Sequence, residues 1–273
     1  MLSSIILNYI FGLLLSVTGR HSRFIVVLCI ISNLSILVYF KYLSFITENI
    51  KFFFKSEIKV PNIALPIGIS FFTFQAISYI LDVFNKKAEA QKNPLDMALY
   101  ISMFPQLTAG PIVRYETFAE AVKSRVSTAE GFSEGAILFV YGFAKKIIIA
   151  NSMGKIADNI FSLSDGYLTG KTAWIGVLAY AFQIFYDFSG YSDMALGLGK
   201  IFGFTFHENF NFPYICKSIT EFWRRWHISL SAWFRDYVYI PLRGNRCGRF
   251  RNLLNIGNLR KLTKILPKPI KRA

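Results

Sequence analysis

The sequence predicts an all-α protein, a polytopic integral-membrane helical bundle with some short, re-entrant or tilted helices. Three observations predict it. The 273 residues are 53% hydrophobic and 17% aromatic but only 17% charged, with a mean hydropathy of +0.38; soluble domains are roughly a quarter charged. Apolar runs recur near the length of about 20 residues that crosses a bilayer as helix. Finally, the stretch 186–246 sets ionisable residues in aromatic, apolar sequence: Asp187, Asp193, Lys200, Glu221, Arg224, Arg225, His227, Arg235 and Asp236. Each such group costs about 2.5–3.5 kcal/mol at the centre of a membrane helix on insertion scales. A chain that keeps so many uses them on a polar substrate or to hold a water-filled cavity together.

The elements follow in order. Residues 5–17 are apolar, with no basic residue before them and no clear cleavage site after them, so they read as a membrane helix that starts abruptly rather than a signal peptide. The N-terminus is therefore expected to be incomplete. Residues 24–40 form the clearest span. Residues 48–59 mix charge with Phe52, Phe53 and Phe54, as an interfacial amphipathic segment does. Residues 63–84 form a span entered through Pro61 and Pro66, and 97–113 another, interrupted at Gly110-Pro111. A polar connection over 115–128 ends at Thr128, which caps the next helix. In the run 132–150, Lys145 and Lys146 are expected to snorkel to the interface. Asp165-Gly166 and Gly170 mark a loop, with Tyr167 and Trp174 at the bilayer interface, and 172–188 is a further span. Runs 194–206 and 228–240 are shorter and suit tilted or re-entrant helices. Gly190, Gly197, Gly199 and Gly203 suit close helix packing and lack the spacing of a nucleotide fingerprint.

The formal net charge is +15, yet nucleic acid is not the expected partner. The basic residues sit in the connections (Arg20, His21 and Arg23; Lys86, Lys87 and Lys92; Lys123 and Arg125), and basic loops are the cytoplasmic signature of membrane proteins. Cys29, Cys216 and Cys247 form neither a metal spacing nor a disulfide framework. The expected organisation is one membrane domain over 1–246 and a basic tail over 247–273.

Read as one helix, the His227 region puts Trp223, His227, Ser231 and Arg235 on a single face at four-residue steps. Imidazole titrates near neutrality, so His227 is either a proton-transfer group or a residue that hydrogen-bonds within the bundle. Asp187 and Asp193 either line a polar cavity or pair with Arg224, Arg225 or Lys200, and pairing fits best because buried charges need partners. His21 and His207 are given no function.

Five stretches carry a family resemblance: LPIGISFFTFQ at 65–75, FPQLTAGPIVR at 104–114, DFSGYSDMA at 187–195, NFNFPY at 209–214, and FWRRWHISLS at 222–231 extended by WFRDY at 233–237. Together they resemble the membrane-bound O-acyltransferase superfamily, in particular its bacterial branch of alginate O-acetyltransferase type. The resemblance implies a multi-pass enzyme of the bacterial inner membrane. It implies helices around a polar tunnel, and transfer of an acyl group from a thioester donor to a hydroxyl of an exported polysaccharide. It also implies membrane lipid, an acyl carrier and periplasmic acetylation partners, with no tightly bound cofactor and no metal. The implied catalytic residue is His227, with Asp187, Asp193, Arg224, Arg225, Ser231, Arg235 and Asp236 supporting the tunnel or site.

Two departures qualify this. The family's most widely shared catalytic histidine belongs to a Trp-His pair on a later helix, and no such segment follows Arg246; His227 matches the family's upstream histidine, which belongs to the site region but is not its main catalytic candidate. The first family spans are also expected to be missing. The chain is therefore expected to be truncated at both ends and inactive alone. A non-catalytic transport or scaffold protein is the alternative.

Overall fold

Polarity is turned inward along these helices. The computed structural model describes residues 1–18, 22–55, 59–60, 63–108, 110–164 and 167–242, and every regular element among them is helical. Arg20, His21, Pro61, the Asp165-Gly166 loop, Arg246 and the tail 247–273 lie outside the described residues. Two helices, Ser22–Phe54 and Ala129–Phe161, are long and apolar enough to cross a membrane. On the first, Phe24, Val27, Ile31 and Leu34 are exposed while Cys29 and Asn33 are buried. Water would select the opposite arrangement; hydrocarbon selects this one, because it solvates leucine and phenylalanine but not amides.

The described residues fall into two units. The first (residues 1–108 with 112–123) contains α1 (Leu2–Val17), α2 (Ser22–Phe54), α3 (Ile69–Phe84), α4 (Pro94–Ser102), α5 (Phe104–Leu107) and all but the last residue of α6 (Tyr115–Ser124). Its seam between α1 and α2 is a reciprocal amide pair. Asn8 Nδ2 donates to Asn33 Oδ1, and Asn33 Nδ2 donates to Asn8 Oδ1, each at 3.0 Å. The second hydrogen of each amide goes to a main-chain carbonyl one turn back, Ser4 or Cys29. Gly12 on α1 brings that helix against the Tyr79 phenol of α3.

Two expected spans in this unit are shorter than the apolar runs. Residues 63–68 stay out of α3, since Gly68 takes a left-handed φ of 73° beside the Leu107 carbonyl. The run 97–113 is not one helix. It breaks at Met103 into α4 and α5, because Pro105 has no N–H to give to a carbonyl four residues back.

The second unit is built on a hairpin of α7 (Ala129–Phe161) and α8 (Gly170–Ile201). Thr128 caps α7 as expected, its Oγ1 accepting from the Gly131 N–H at 3.0 Å. A capping box between Thr169 and Thr172 starts α8. Glycines seven residues apart on each helix meet in antiparallel register. A Cβ added at Gly135 would lie 2.6 Å from the Gly197 carbonyl oxygen, and one at Gly190 would lie 2.6 Å from that of Gly142. Only glycine permits such an approach of two backbones.

This register sets the ion pairs, which correct two expectations. Lys145 pairs with Asp193 at 2.6 Å, Lys146 with Asp187, and Lys200 with Glu134. The lysines therefore do not simply snorkel, and the aspartates do not pair with Arg224, Arg225 or Lys200. Because both aspartates are matched, α8 continues as a helix through both charges to Ile201. The run 194–206 is thus mainly the end of a long helix rather than a short separate one. A π turn at Lys145–Ala150 places the two adjacent lysines in this seam.

Candidate active site

The chain after α8 carries the histidine. It includes α9 (Ile219–Arg225) and α10 (Ile228–Phe234), followed by a π turn at Arg235–Tyr239. The expected continuous helix is absent: Trp226 is extended (φ −104°, ψ 127°) and His227 is left-handed (φ 45°, ψ 56°). The cause is non-local. The Asn211 N–H donates to the Arg225 carbonyl at 2.8 Å, and the Ile228 N–H donates to the Asn209 carbonyl at 3.0 Å. These two rungs draw 225–228 out of helical geometry. The single stripe Trp223–His227–Ser231–Arg235 therefore does not exist. What remains of it is Ser231, whose hydroxyl donates to the Trp223 carbonyl at 3.3 Å.

The break turns His227 inward. The residue is 7% exposed, its ring edge-on to Phe188 of α8 with centroids 4.8 Å apart and stacked 6.5 Å from Phe210. Phe185, Phe210, Tyr214, Phe222 and Trp226 extend this aromatic cluster. The Nδ1 atom lies 3.2 Å from Asn209 Oδ1, which also accepts from the Ser229 N–H at 3.0 Å and the Ser229 hydroxyl at 2.9 Å. His227 sits between two short helices, outside the membrane-spanning ones. Burial pulls the imidazole's pKa down to about 4, since removal from water penalises the charged form. His227 is therefore neutral at pH 7.

The other expected site residues divide. Arg225 donates to Glu221 at 2.9 Å and to the Asn211 carbonyl at 3.3 Å, so it braces the segment that holds His227. Arg235 pairs with its neighbour Asp236 at 2.7 Å. Arg224 is exposed. Asp187 and Asp193 serve the α7–α8 seam, although Asp187 directly precedes Phe188. Among the described residues no cluster of three His, Cys, Asp or Glu could hold a metal ion. Sequence reasoning missed Asn209 and Ser229 as site residues. The signal was available in Asn209, an amide set in an aromatic run.

The family model for MBOAT, the membrane-bound O-acyltransferase family, matches residues 21–255. The chain belongs to this family. It is therefore a membrane-embedded helical protein, as its inverted polarity requires. This O-acyltransferase-family chain is 45% identical over 258 residues to the "probable alginate O-acetylase AlgI" of Pseudomonas aeruginosa, covering 92% of the chain and 49% of that relative. It is 36% identical over 286 residues to the peptidoglycan O-acetyltransferase of Helicobacter pylori (93% and 54%). To the teichoic acid D-alanyltransferase of Bacillus subtilis it is 34% identical over 185 residues (66% and 46%). The chain spans about half the length of these curated relatives. His227, Asn209 and the α7–α8 hairpin all fall within the family match.

Proposed function

We propose that this segment is the part of a multi-pass membrane O-acyltransferase that handles the acceptor hydroxyl, and that His227 takes its proton. The observation that carries the reading is a buried imidazole, anchored through one nitrogen, inside the family match. The reaction needs little else from the protein. As the hydroxyl oxygen attacks the carbonyl carbon of an acyl thioester, its proton passes to the imidazole. The C–S bond breaks, and the leaving thiolate takes the proton back as the ester forms. A positioned general base contributes about 10²–10⁴ in rate, most when its pKa lies near the working pH.

The acceptor in this reading is a hydroxyl of an exported cell-envelope polysaccharide. The names of the alginate, peptidoglycan and teichoic acid relatives support that class. The protein sits in the bacterial inner membrane around a polar tunnel, with an acyl carrier on the donor side and periplasmic partners on the acceptor side. Arg225 supports the tunnel wall at the 209–211 segment, with Ser231 and the Arg235–Asp236 pair on the helix that follows. Asp187, Asp193 and Arg224 complete the proposed wall.

The test uses cells expressing the gene that carries this segment. Radiolabel from an acyl thioester should appear as ester on the polysaccharide. Passage of unmodified polymer without label would instead identify a transporter or scaffold.

A further inference from the structure

Asparagine has one acceptor and one donor end, and the surroundings of Asn209 fix which is which. The Ser229 main-chain N–H can only donate, and it points at 3.0 Å to the atom that also faces His227. That atom must therefore be the carbonyl oxygen. A carbonyl oxygen 3.2 Å from Nδ1 demands a hydrogen on Nδ1, because otherwise two lone pairs would face each other. In a neutral imidazole the second nitrogen, Nε2, then carries the lone pair. Asn209 cannot easily turn away. Its own main-chain carbonyl holds the Ile228 N–H at 3.0 Å, so both its main chain and its side chain clamp residues 227–229. Phe188 and Phe210 fix the plane of the ring.

We propose that Asn209 is the positioning residue of the site: its amide oxygen holds His227 as the Nδ1–H tautomer and leaves Nε2 as the nitrogen that accepts the acceptor hydroxyl's proton. The role of Nε2 rests on the reading of His227 given above; the tautomer does not. The choice of amide over carboxylate has a chemical consequence. Asparagine orients the ring without an anion beside it, so the ring stays neutral and able to accept a proton. An aspartate at the same place would favour the imidazolium and raise the pH above which the ring can accept a proton.

The test is nitrogen-15 NMR of histidine-labelled, intact protein from the gene that carries this segment, in lipid nanodiscs. The His227 signals are assigned by their loss in His227→Gln. At pH 7 the wild type should give a protonated Nδ1 and an unprotonated Nε2. A protonated Nε2, or an imidazolium at pH 7, overturns the proposal. Asn209→Asp should move the imidazole's titration midpoint up by about one to three pH units and move the acid limb of the pH–rate profile in the same direction. An unmoved midpoint in a folded Asn209→Asp protein also overturns it. The wild-type tautomer reading needs only the assignment variant and no activity. If label transfer survives loss of the imidazole, the catalytic reading fails while the tautomer stands. If transfer is lost but Nε2 proves protonated, the positioning role fails alone.

Discussion

Two side-chain pairs divide the molecule's polar interior by purpose. Asn8 and Asn33, between α1 and α2, form a closed pair: they exchange one hydrogen bond each way, their second amide hydrogens go to the Ser4 and Cys29 carbonyls, and each oxygen accepts. Asn209 and His227 form an open pair. The oxygen of Asn209 is engaged, its buried Nδ2 has no partner among the described residues, and the imidazole keeps one nitrogen outside the pair. Ser189 and Ser192 of α8 also bury hydroxyls without a hydrogen-bond partner among the described residues. A closed pair in an apolar setting holds helices together. An open one leaves hydrogen-bonding capacity for a substrate, at a standing cost of about 1–3 kcal/mol for each unsatisfied group.

Substitutions can break this contrast. The largest effect is expected at the open pair, where His227→Ala should lower acyl transfer by about 10²–10⁴, measured per folded protein, with helical content unchanged. Next comes the glycine crossing. Gly142→Leu drives a side chain into the Gly190 backbone and should destabilise the protein by about 3 kcal/mol, read from thermal unfolding in detergent. Lys145→Ala strands Asp193, whose side chain is 19% exposed. The expected loss is about 2 kcal/mol, below the fully buried case because water partly screens the pair. Removing both charges leaves neither stranded, so Lys145→Met combined with Asp193→Leu should recover most of that loss. The smallest effect belongs to the closed pair: Asn8→Ala should cost about 1 kcal/mol and leave the transfer rate per folded protein unchanged.

Acidification probes the same imidazole through stability. The folded pKa of His227 is depressed to about 4, while the unfolded chain has the ordinary value of about 6.5. Between these values the unfolded state binds more protons, so stability is full above about pH 6.5 and declines as pH falls towards 4. Denaturant titrations across that window should show the decline, and His227→Gln should flatten it.

The helical class and the membrane setting were legible in the sequence, because length and hydropathy are local properties. Thr128 was legible as a cap for the same reason. The break at Trp226–His227 was not. No glycine or proline marks it, and its cause is hydrogen bonding from Asn209 and Asn211, many residues earlier. Periodicity therefore put His227 on a stripe with Ser231 and Arg235 that the backbone does not form. The aspartates were correctly read as paired, but their partners depend on the antiparallel register of α7 and α8. That register follows from equal seven-residue spacings, Gly135 to Gly142 and Gly190 to Gly197, which become informative only when both helices are compared. Pro105 offered a local warning against reading 97–113 as one span.

The central claim is that a neutral, buried imidazole at position 227 takes a proton during acyl transfer. Its most direct test is single-turnover transfer from a radiolabelled acyl thioester to polysaccharide in membranes carrying matched amounts of wild type, His227→Gln or Asn8→Ala. The account predicts that His227→Gln loses at least about a hundredfold in rate while Asn8→Ala matches wild type. A His227→Gln rate equal to wild type would contradict it.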